Sequence, residues 1–400
     1  MIDISKKCWH KSLLFGSLYF SEGLQLTLTT VIVPIYLLDQ GISMPIATLV
    51  AGVTAAPWYL KFVFAPIVDY FYSLGKKIFI IIGGLLGAIG LFLIMVLHPS
   101  TSLLLFSLFL FLSHLGIVFV DVSCDGWAIY ISKENERGKI NGAMTAGLFA
   151  GMTFSTLVLS SIAEIYGYNL CFFTGAIIIL VIIVVSLLIH EEKMLKRAQK
   201  ISSILKAEFK KATTQLVALY CSVHGINFGL LIFAIPLYLK TILHLNVGQI
   251  GLVMSIYPIT LVFGSLFGGV LADKWGVKKI LFVFMSVSLV FSAALIFAHT
   301  WEAVGILYGI IGFLQGGGLY AAGGALLMNV SNRKIGTTQY SIFASIGNFS
   351  EFGLGAISGS LVVLLGFSRV FLYSAWSLGP PLLILYFIKL KKLKKGNNAK

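Results

Sequence analysis

Long apolar segments separated by short polar segments run through the whole chain. Each has about 20 residues or more, the length that crosses a hydrocarbon core of ~30 Å at 1.5 Å per residue. The first is too long for the apolar region of a signal peptide and has no small-residue cleavage site behind it, so we expect it to be retained. The pattern predicts an all-α membrane protein with twelve spans, numbered in chain order, at residues 12–37, 44–68, 78–98, 102–130, 140–163, 170–189, 213–239, 248–271, 280–299, 302–329, 338–363 and 369–389.

The composition excludes a water-soluble fold. Of the 400 residues, 58% are hydrophobic and 11% are charged, whereas a soluble domain carries about 25% charged residues. The cysteines stand alone, without Cys-x-x-Cys spacing, so we predict neither a disulfide framework nor a metal site, and we expect no cofactor. They are Cys8, Cys124, Cys171 and Cys221.

The basic residues lie almost entirely on one side of the predicted spans. The net charge of +14 is compatible with nucleic-acid binding, but with the N-terminus in the cytoplasm 26 of the 29 Lys and Arg residues fall on the cytoplasmic side. The exceptions are Lys61, Lys240 and Arg369. This bias predicts a multi-pass protein of the cell (inner) membrane with cytoplasmic N- and C-termini. Basic span ends also attract anionic lipid headgroups, so we expect membrane lipids as partners and no nucleic acid.

Similar features recur about half a chain length apart. Asp69 and Asp273 are 204 positions apart (273 − 69), and Arg137 and Arg333 are 196 apart (333 − 137). A duplicated six-span half explains both offsets, and transporters are commonly built from such repeats. We therefore predict two halves, a basic amphipathic linker on the inner membrane surface and a basic tail. The halves are 1–190 and 213–390, the linker is 191–212 and the tail is 391–400.

The loop after span eight has the pattern Gly-x3-Asp-Lys-x-Gly-x-Lys-Lys, and it matches the signature loop of the major facilitator superfamily. The copy after span two is less complete, because Ala65 replaces the first glycine and Tyr70 the basic residue. A simple polar turn is the alternative there. The resemblance implies a gate at the cytoplasmic helix ends, to which we assign Asp69, Gly269, Asp273, Gly276, Lys278, Lys279, Arg137 and Arg333.

Four charged residues fall within spans one, two and four. An ionisable side chain at membrane depth is costly, so it usually faces a water-filled cavity or a partner charge. Lys61 and Asp125 both lie about 12 Å from the cytoplasmic edge, which predicts an ion pair; alternatively, Lys61 extends its ammonium to the surface. Glu22 and Asp121 lie at ~16 and ~18 Å. We expect them to carry the coupling protons.

Other polar residues within the second half complete the predicted proton and solute pathway. His224 and Asn227 lie one turn apart in span seven, although a lone histidine in an apolar helix is more often a packing residue. The glycine-rich part of span ten is typical of close helix packing and not of a dinucleotide site. The remaining candidates are Gln315, Gln339 and Glu351.

Segments in both halves resemble the branch of the superfamily that contains the AmpG-like muropeptide permeases and the acetyl-CoA transporters. These segments are YLKFVFAPIVD, DVSCDGWAI with ERGKINGA, and ALLMNVSNRKIGTTQYSIFAS. The resemblance implies that spans one, four, seven and ten line a central cavity. Glu22 and Glu351 are departures from the pattern, and span seven lacks the charged residues expected of a muropeptide permease.

We therefore expect a monomeric secondary transporter of the major facilitator fold that moves a small solute by alternating access, coupled to protons. The AmpG-like resemblance implies a muropeptide or a related amino-sugar or peptide solute. An acyl-CoA, acetyl-CoA or lipid transporter of the same fold, and a non-transporting sensor, are the alternatives. The chain has no Walker motif, so we expect no ATP drive within it. We also expect no enzyme, because the Asp121-x3-Asp125-Gly126 sequence lacks the second aspartate pair that lipid phosphotransferases need.

Overall fold

The computed structural model describes residues 8–71, 74–133, 136–191, 201–332 and 335–388. Within these ranges, eleven helical stretches are long and apolar enough to cross a membrane. They are α1 (Cys8–Asp39), α3 (Lys77–Val96), α4 (Leu103–Ile131), α5 (Lys139–Tyr166), α6 (Tyr168–Leu187), α7 (Ala212–Thr241), α8 (Val247–Trp275), α9 (Val277–Phe297), α10 (Trp301–Val330), α11 (Thr338–Leu365) and α12 (Phe367–Phe387).

The twelfth span, α2 (44–70), is broken into three pieces. They are Met44–Thr54, Ala56–Tyr59 and Lys61–Tyr70. Pro57 stands in the first turn of the second piece, where its missing N–H leaves the preceding turn without a hydrogen bond. The prediction of twelve spans is therefore confirmed, with one span interrupted.

Glycines with positive φ mark the repeat of six helices. Gly75 (φ 83°) precedes α3 and Gly276 (φ 93°) precedes α9, 201 positions later (276 − 75). Gly167 (φ 90°) separates α5 from α6, and Gly366 (φ 82°) separates α11 from α12. L-residues rarely adopt this conformation, so each turn requires glycine. The matching turns confirm the two pseudo-symmetric halves, while the exact domain bounds remain predictions.

Two lysines cap the C-terminal end of the last helix of each half in the same way. Lys77 donates hydrogen bonds of 2.7 Å to two main-chain carbonyls at the end of α6. Lys278 donates bonds of 2.7 and 3.1 Å to two carbonyls at the end of α12. A cation at a helix C-terminus satisfies free carbonyls and the helix dipole. Each lysine thus fastens the third helix of its half to the sixth.

The helices that surround the centre approach each other at glycines. A Cβ atom on Gly23 would collide with the main chain of Leu148, so α1 and α5 are in backbone contact. Gly264 of α8 is equally close to the main chain of Phe313 in α10. Small residues allow this close approach within a membrane. The contacts fix the position of α1, which carries Glu22.

The two halves are joined at the end of the bundle opposite the basic loops, called the far end here. Lys240 and Asp39 form an ion pair of 2.6 Å between the halves. Nearby, the Thr48 hydroxyl accepts a hydrogen bond of 3.2 Å from the main-chain N–H of Gly359. Tyr168 donates to the other oxygen of Asp39 at 2.5 Å. The far end is closed by these contacts.

Candidate functional site

Two buried carboxylates, one half-buried carboxylate, one lysine and one tyrosine meet inside the first half. We call this group the carboxylate cluster; its members are Tyr19, Glu22, Lys61, Asp121 and Asp125. Lys61 Nζ lies 3.2 Å from Asp121 Oδ2, and the Tyr19 hydroxyl donates to Asp125 Oδ1 at 2.5 Å. Glu22 interacts electrostatically with Asp121, Lys61 and Asp125. The sequence-predicted pathway residues of the first half therefore come together.

Helical spacing explains why the cluster forms. Asp121 and Asp125 are four positions apart in α4, and Tyr19 and Glu22 three apart in α1, so each pair lies on one helix face. The two faces meet where the backbone contact between α1 and α5 holds α1 in place. The break in α2 before Lys61 then brings the lysine to the same level.

The cluster has more negative charge than Lys61 can neutralise. Glu22 and Asp121 are both only 4% exposed. Glu22 Oε2 and Asp121 Oδ1 are buried without a hydrogen-bond partner among the described residues. Lys61 compensates Asp121, but a further buried carboxylate without a compensating charge is strongly unfavourable. The site therefore suits protons or hydrogen-bond donors of a ligand.

The predicted Lys61–Asp125 ion pair is wrong, because Lys61 pairs with Asp121. Equal Cα depths led to the prediction, but a helical side chain leans toward the N-terminus of its helix. Lys61 is the first residue of its helix piece, so its long side chain reaches away from the basic end. It passes the level of Asp125 and meets Asp121, one turn further.

Tyr340 brings the second half to the cluster. Its hydroxyl, on α11, interacts electrostatically with Lys61 and Asp125. The cluster therefore lies at the boundary between the halves, where a relative movement of the halves changes its surroundings.

In α7, the helix is interrupted after His224. His224 Nδ1 lies 3.0 Å from the carbonyl oxygen of Cys221, and its ring stacks on Tyr220 at 5.0 Å. Glu351 packs against Gly225 at the break. It lies in a π-helical turn, Phe349–Gly353, a feature frequent at functional sites. His224 and Glu351 thus flank one break in the second half.

Asn227 and Gln315 belong to one continuous chain of hydrogen bonds. Tyr257 donates to Gln315 Oε1 at 2.5 Å, and Gln315 Nε2 donates to Asn227 Oδ1 at 2.6 Å. Asn227 Nδ2 donates to Ser292 Oγ at 3.1 Å and to the Ser374 carbonyl at 2.8 Å. These partners hold Asn227 inside the second half, facing α9 and α12. Both amide hydrogens of Asn227 are used, while its Oδ1 keeps one lone pair, so its role in the pathway stays a prediction.

Gln339 fixes the turn between α10 and α11. Its Oε1 accepts a bond of 2.9 Å from the main-chain N–H of Asn332, and its Nε2 is buried without a partner in the described part of the chain. This contact places Gln339 at the basic end and not beside the carboxylate cluster.

The predicted gate residues after α8 have different surroundings. Asp273 is exposed, Lys279 lies 5.7 Å above the Trp275 ring, and Gly276 forms the turn before α9. Gly269 lies within α8, where a Cβ atom at this position would be 4.0 Å from the Cβ atom of Ala321 in α10. Lys278 caps the end of α12 instead of reaching the other half. Arg333 and the side chains of Asp69 and Arg137 lie outside the described residues.

A buried ion pair fastens the basic end of the first half. Lys11 is 1% exposed and donates to Glu136 Oε2 at 2.7 Å. The hydrogen bond from Lys11 holds the pKa of Glu136 below its usual range. In the second half, Asn332 donates to Glu208 Oε1 at 2.6 Å. Lys11 and Glu208 are 197 positions apart and Glu136 and Asn332 are 196 apart, so the contact is repeated with its charges changed.

The sequence analysis missed Tyr19 of the cluster and three polar residues further along α1 and α4. Tyr19, Gln25, Thr29 and His114 were not assigned a role, although Thr29 follows Glu22 by seven positions and His114 precedes Asp121 by seven. That spacing, two helical turns, was the available signal. Among the described residues, no group of three or more His, Cys, Asp or Glu side chains is arranged to hold a metal ion.

Comparison with known proteins agrees with this architecture. The family model for the Major Facilitator Superfamily matches residues 15–222 and 217–400. A Rickettsia felis protein named "Putative transporter AmpG 4" is 25% identical over 399 residues, which cover 92% of this chain and 94% of the relative.

Two solved structures have a similar fold. The nucleoside transporter NupG superposes with a TM-score of 0.75 at 14% identity, covering 95% of this chain and 100% of its own. The D-xylose–proton symporter superposes with a TM-score of 0.75 at 13% identity, covering 96% and 97%. At these identities the structural likeness shows the fold alone.

Proposed function

The chain belongs to the major facilitator superfamily, and we propose that it is a proton-coupled secondary transporter of a small polar solute. The family and the Rickettsia felis relative, which is named a putative transporter, support a transporter and not an enzyme. The observation that carries the proposed coupling is the carboxylate cluster, in which two buried acids and one half-buried acid share one lysine.

The ion pair divides the roles of the acids. Lys61 Nζ pairs with Asp121 at 3.2 Å, whereas Glu22 Oε2 has no partner among the described residues. Glu22 and Asp125 are therefore the proposed proton carriers, and this replaces the expectation of Glu22 with Asp121. A proton removes the cost of a buried unpaired carboxylate. Loss of the proton follows when the halves move and water reaches the cluster.

Alternating access supplies that movement. We assign the basic end to the cytoplasm, as the distribution of Lys and Arg favours. The far end, closed by Asp39 and Lys240, then faces the outside. Opening of this ion pair and closing of the basic end expose the cluster to the opposite side. In the cell membrane the protein acts as a monomer, with anionic lipid headgroups on its basic loops.

The basic-end gate is the second part of the mechanism. We propose that Asp273 contacts the other half when the basic end closes, since the side chain is exposed while the far end is closed. Asp69, Arg137 and Arg333 are assigned to the same gate from their positions after α2, α4 and α10. Contacts made in only one state shift the equilibrium between the states.

A muropeptide or related amino-sugar or peptide is the proposed solute. The AmpG-like relative supports this class, and the free carboxylate oxygens suit amide, hydroxyl and amino donors. An acyl-CoA carries several phosphate charges, which the excess negative charge of the cluster disfavours. Lipid transport and a sensor without transport remain the other candidates of this fold.

Two measurements test the proposal in sequence. A thermal-shift screen of the purified protein against muropeptides, acyl-CoAs, sugars, peptides and lipids identifies the ligand, because a ligand of the folded state raises its stability. Uptake of that ligand into proteoliposomes should then rise when an inward proton gradient is imposed. Binding without uptake would identify a sensor, and uptake that ignores the gradient would exclude proton coupling.

A further inference from the structure

A second set of buried polar groups continues from the carboxylate cluster toward the far end. In α1, Glu22, Gln25 and Thr29 follow each other at intervals of three and four residues; in α4, His114 precedes Asp121 by seven. Both spacings keep the residues of a helix on one side. His114 Nε2 lies 2.8 Å from Thr29 Oγ1, so the two helices are joined by a polar contact at this level. We call Gln25, Thr29 and His114 the polar seam.

The seam is fully buried and has several unused hydrogen-bonding atoms. Gln25 is 0% exposed, and neither its amide oxygen nor its amide nitrogen has a partner among the described residues. His114 is also 0% exposed, and its Nδ1 is unpartnered in the same sense. Buried amides almost always have partners, and ordered water is the usual one where protein groups are missing.

The backbone supports a special role for this level of α1. Leu28–Ile32 is a π-helical turn, and it carries Thr29 toward His114. The neighbouring Thr30 bonds to the carbonyl of Leu26 in its own helix at 3.0 Å, whereas Thr29 bonds across to α4. π-Helical turns are often retained at functional sites because they re-aim one side chain.

We propose that ordered water bound by Gln25 links Glu22 to the Thr29–His114 pair, and that this seam delivers protons to the cluster from the far end. The inference rests on the proposed proton coupling and adds a route to it. His114 Nδ1 lies roughly 10 Å beyond Asp121 along α4. It is reached by solvent when the halves separate at Asp39 and Lys240.

The transfer is balanced and leaves only Glu22 changed. A proton binds Nδ1 of the neutral His114 ring, the Nε2 proton moves to the Thr29 oxygen, and the Thr29 hydroxyl proton moves to water at Gln25. That water passes its extra proton to Glu22 Oε2. His114 and Thr29 end neutral, with the His114 proton now on Nδ1. The first tautomer is restored when Nδ1 releases this proton to water and Nε2 takes up another from water.

The charged surroundings of His114 are few. Beyond the cluster, the helices packed nearby carry no Asp, Glu, Lys or Arg at 78–96 of α3 or 169–187 of α6, and α5 carries only Lys139 and Glu164 near its two ends. Tyr36 of α1, Cys124 of α4 and Cys171 of α6 are further buried titratable groups on these helices. The carboxylate cluster is therefore the acceptor that a proton on His114 meets.

The test follows carboxyl protonation directly and needs no solute. The full-length protein is placed in vesicles with only its far end facing the bath, and the infrared carboxyl band is recorded after the bath is acidified. We expect the carboxyl band of the wild type to grow after acidification, and we expect this increase to be smaller in Glu22→Gln. Gln25→Leu, Thr29→Val and His114→Gln should each slow its growth about tenfold or more. Thr30→Val is the matched control and should keep the wild-type rate.

The outcomes separate this inference from the proposed function. An unchanged band in Glu22→Gln would overturn the proposed proton role of Glu22. A reduced band in Glu22→Gln together with wild-type rates in the three seam variants would overturn the seam alone. If the Gln25→Leu protein unfolds at a higher temperature and its carboxyl band grows at the wild-type rate, the Gln25 amide is simply unpaired and has no role in proton delivery. His114→Gln retains a donor for Thr29, so its slowing cannot be attributed to loss of the hydrogen bond alone.

Discussion

Lys61 and Asp121 form an ion pair of 3.2 Å that joins α2 to α4. The pair is nearly buried, with side chains 15% and 3% exposed. It determines which acids of the cluster are free, because the lysine neutralises Asp121 and leaves Glu22 and Asp125. The division of roles in the proposed mechanism depends on this contact.

The ion pair itself gives a first prediction. Lys61→Met or Asp121→Leu alone should destabilise the protein by about 3–5 kcal/mol, because each leaves a buried charge unpaired. The double variant should recover most of that loss, measured by unfolding in detergent. The control cycle uses Lys61 with Asp125, which bonds to Tyr19, and should show weaker coupling. Equal coupling in both cycles would remove the distinction between Asp121 and Asp125.

Labelling with an impermeant thiol reagent tests the orientation. The background variant replaces Cys8 by serine, since the other three cysteines are buried. In intact cells Asn246→Cys should react, while Ser202→Cys and Asn397→Cys should react only after lysis. Asn397 lies outside the described residues, and its prediction rests on the basic tail alone. Reaction at Ser202→Cys without lysis would reverse the assigned topology.

The ion pair at the far end predicts a trapped state. Asp39→Cys with Lys240→Cys, joined by a short bifunctional thiol reagent, should lose transport, because the halves can no longer separate there. Reductive cleavage of a disulfide-containing linker should restore it. Each single-cysteine variant, treated with the same reagent, serves as the control. Full transport by the cross-linked protein would mean that the far end need not open.

The loop after α8 should divide into a gating residue and a structural one. Asp273 is exposed, so Asp273→Asn should reduce uptake and leave thermal stability unchanged. Lys278→Met should lower stability by about 1 kcal/mol, because two carbonyls at the end of α12 lose their donor. Lys279→Met, whose lysine lies over a surface tryptophan, is the matched control. Normal uptake by Asp273→Asn would exclude a gating role for Asp273.

The sequence predicted the twelve spans, the repeated halves and four of the five residues of the carboxylate cluster, because each rests on hydrophobic length or helical spacing. It missed Tyr19, and it failed on the partner of Lys61, which depends on the direction of one side chain at a helix break. It could not show the partners of Asn227, since a polar residue in a span looks the same whether it faces a cavity or a neighbouring serine.

The far-end ion pair could not be predicted for a different reason. Asp39 and Lys240 are 201 positions apart (240 − 39), and each lies just beyond the end of a span predicted from the sequence. Only the packing of the two halves brings them together. The same holds for Gln25 and Thr29, whose spacing relative to Glu22 was visible but whose burial between helices was not.

Proton-driven accumulation by the Glu22→Gln protein is the most direct test of the central claim. The solute selected by the thermal-shift screen is supplied to proteoliposomes under an imposed proton gradient and, separately, under counterflow without a gradient. We predict that the wild type accumulates solute in the first assay and that Glu22→Gln does not, while both exchange solute in the second. Gradient-driven accumulation by Glu22→Gln at the wild-type level would contradict the assignment of the coupling proton to Glu22 and the carboxylate cluster.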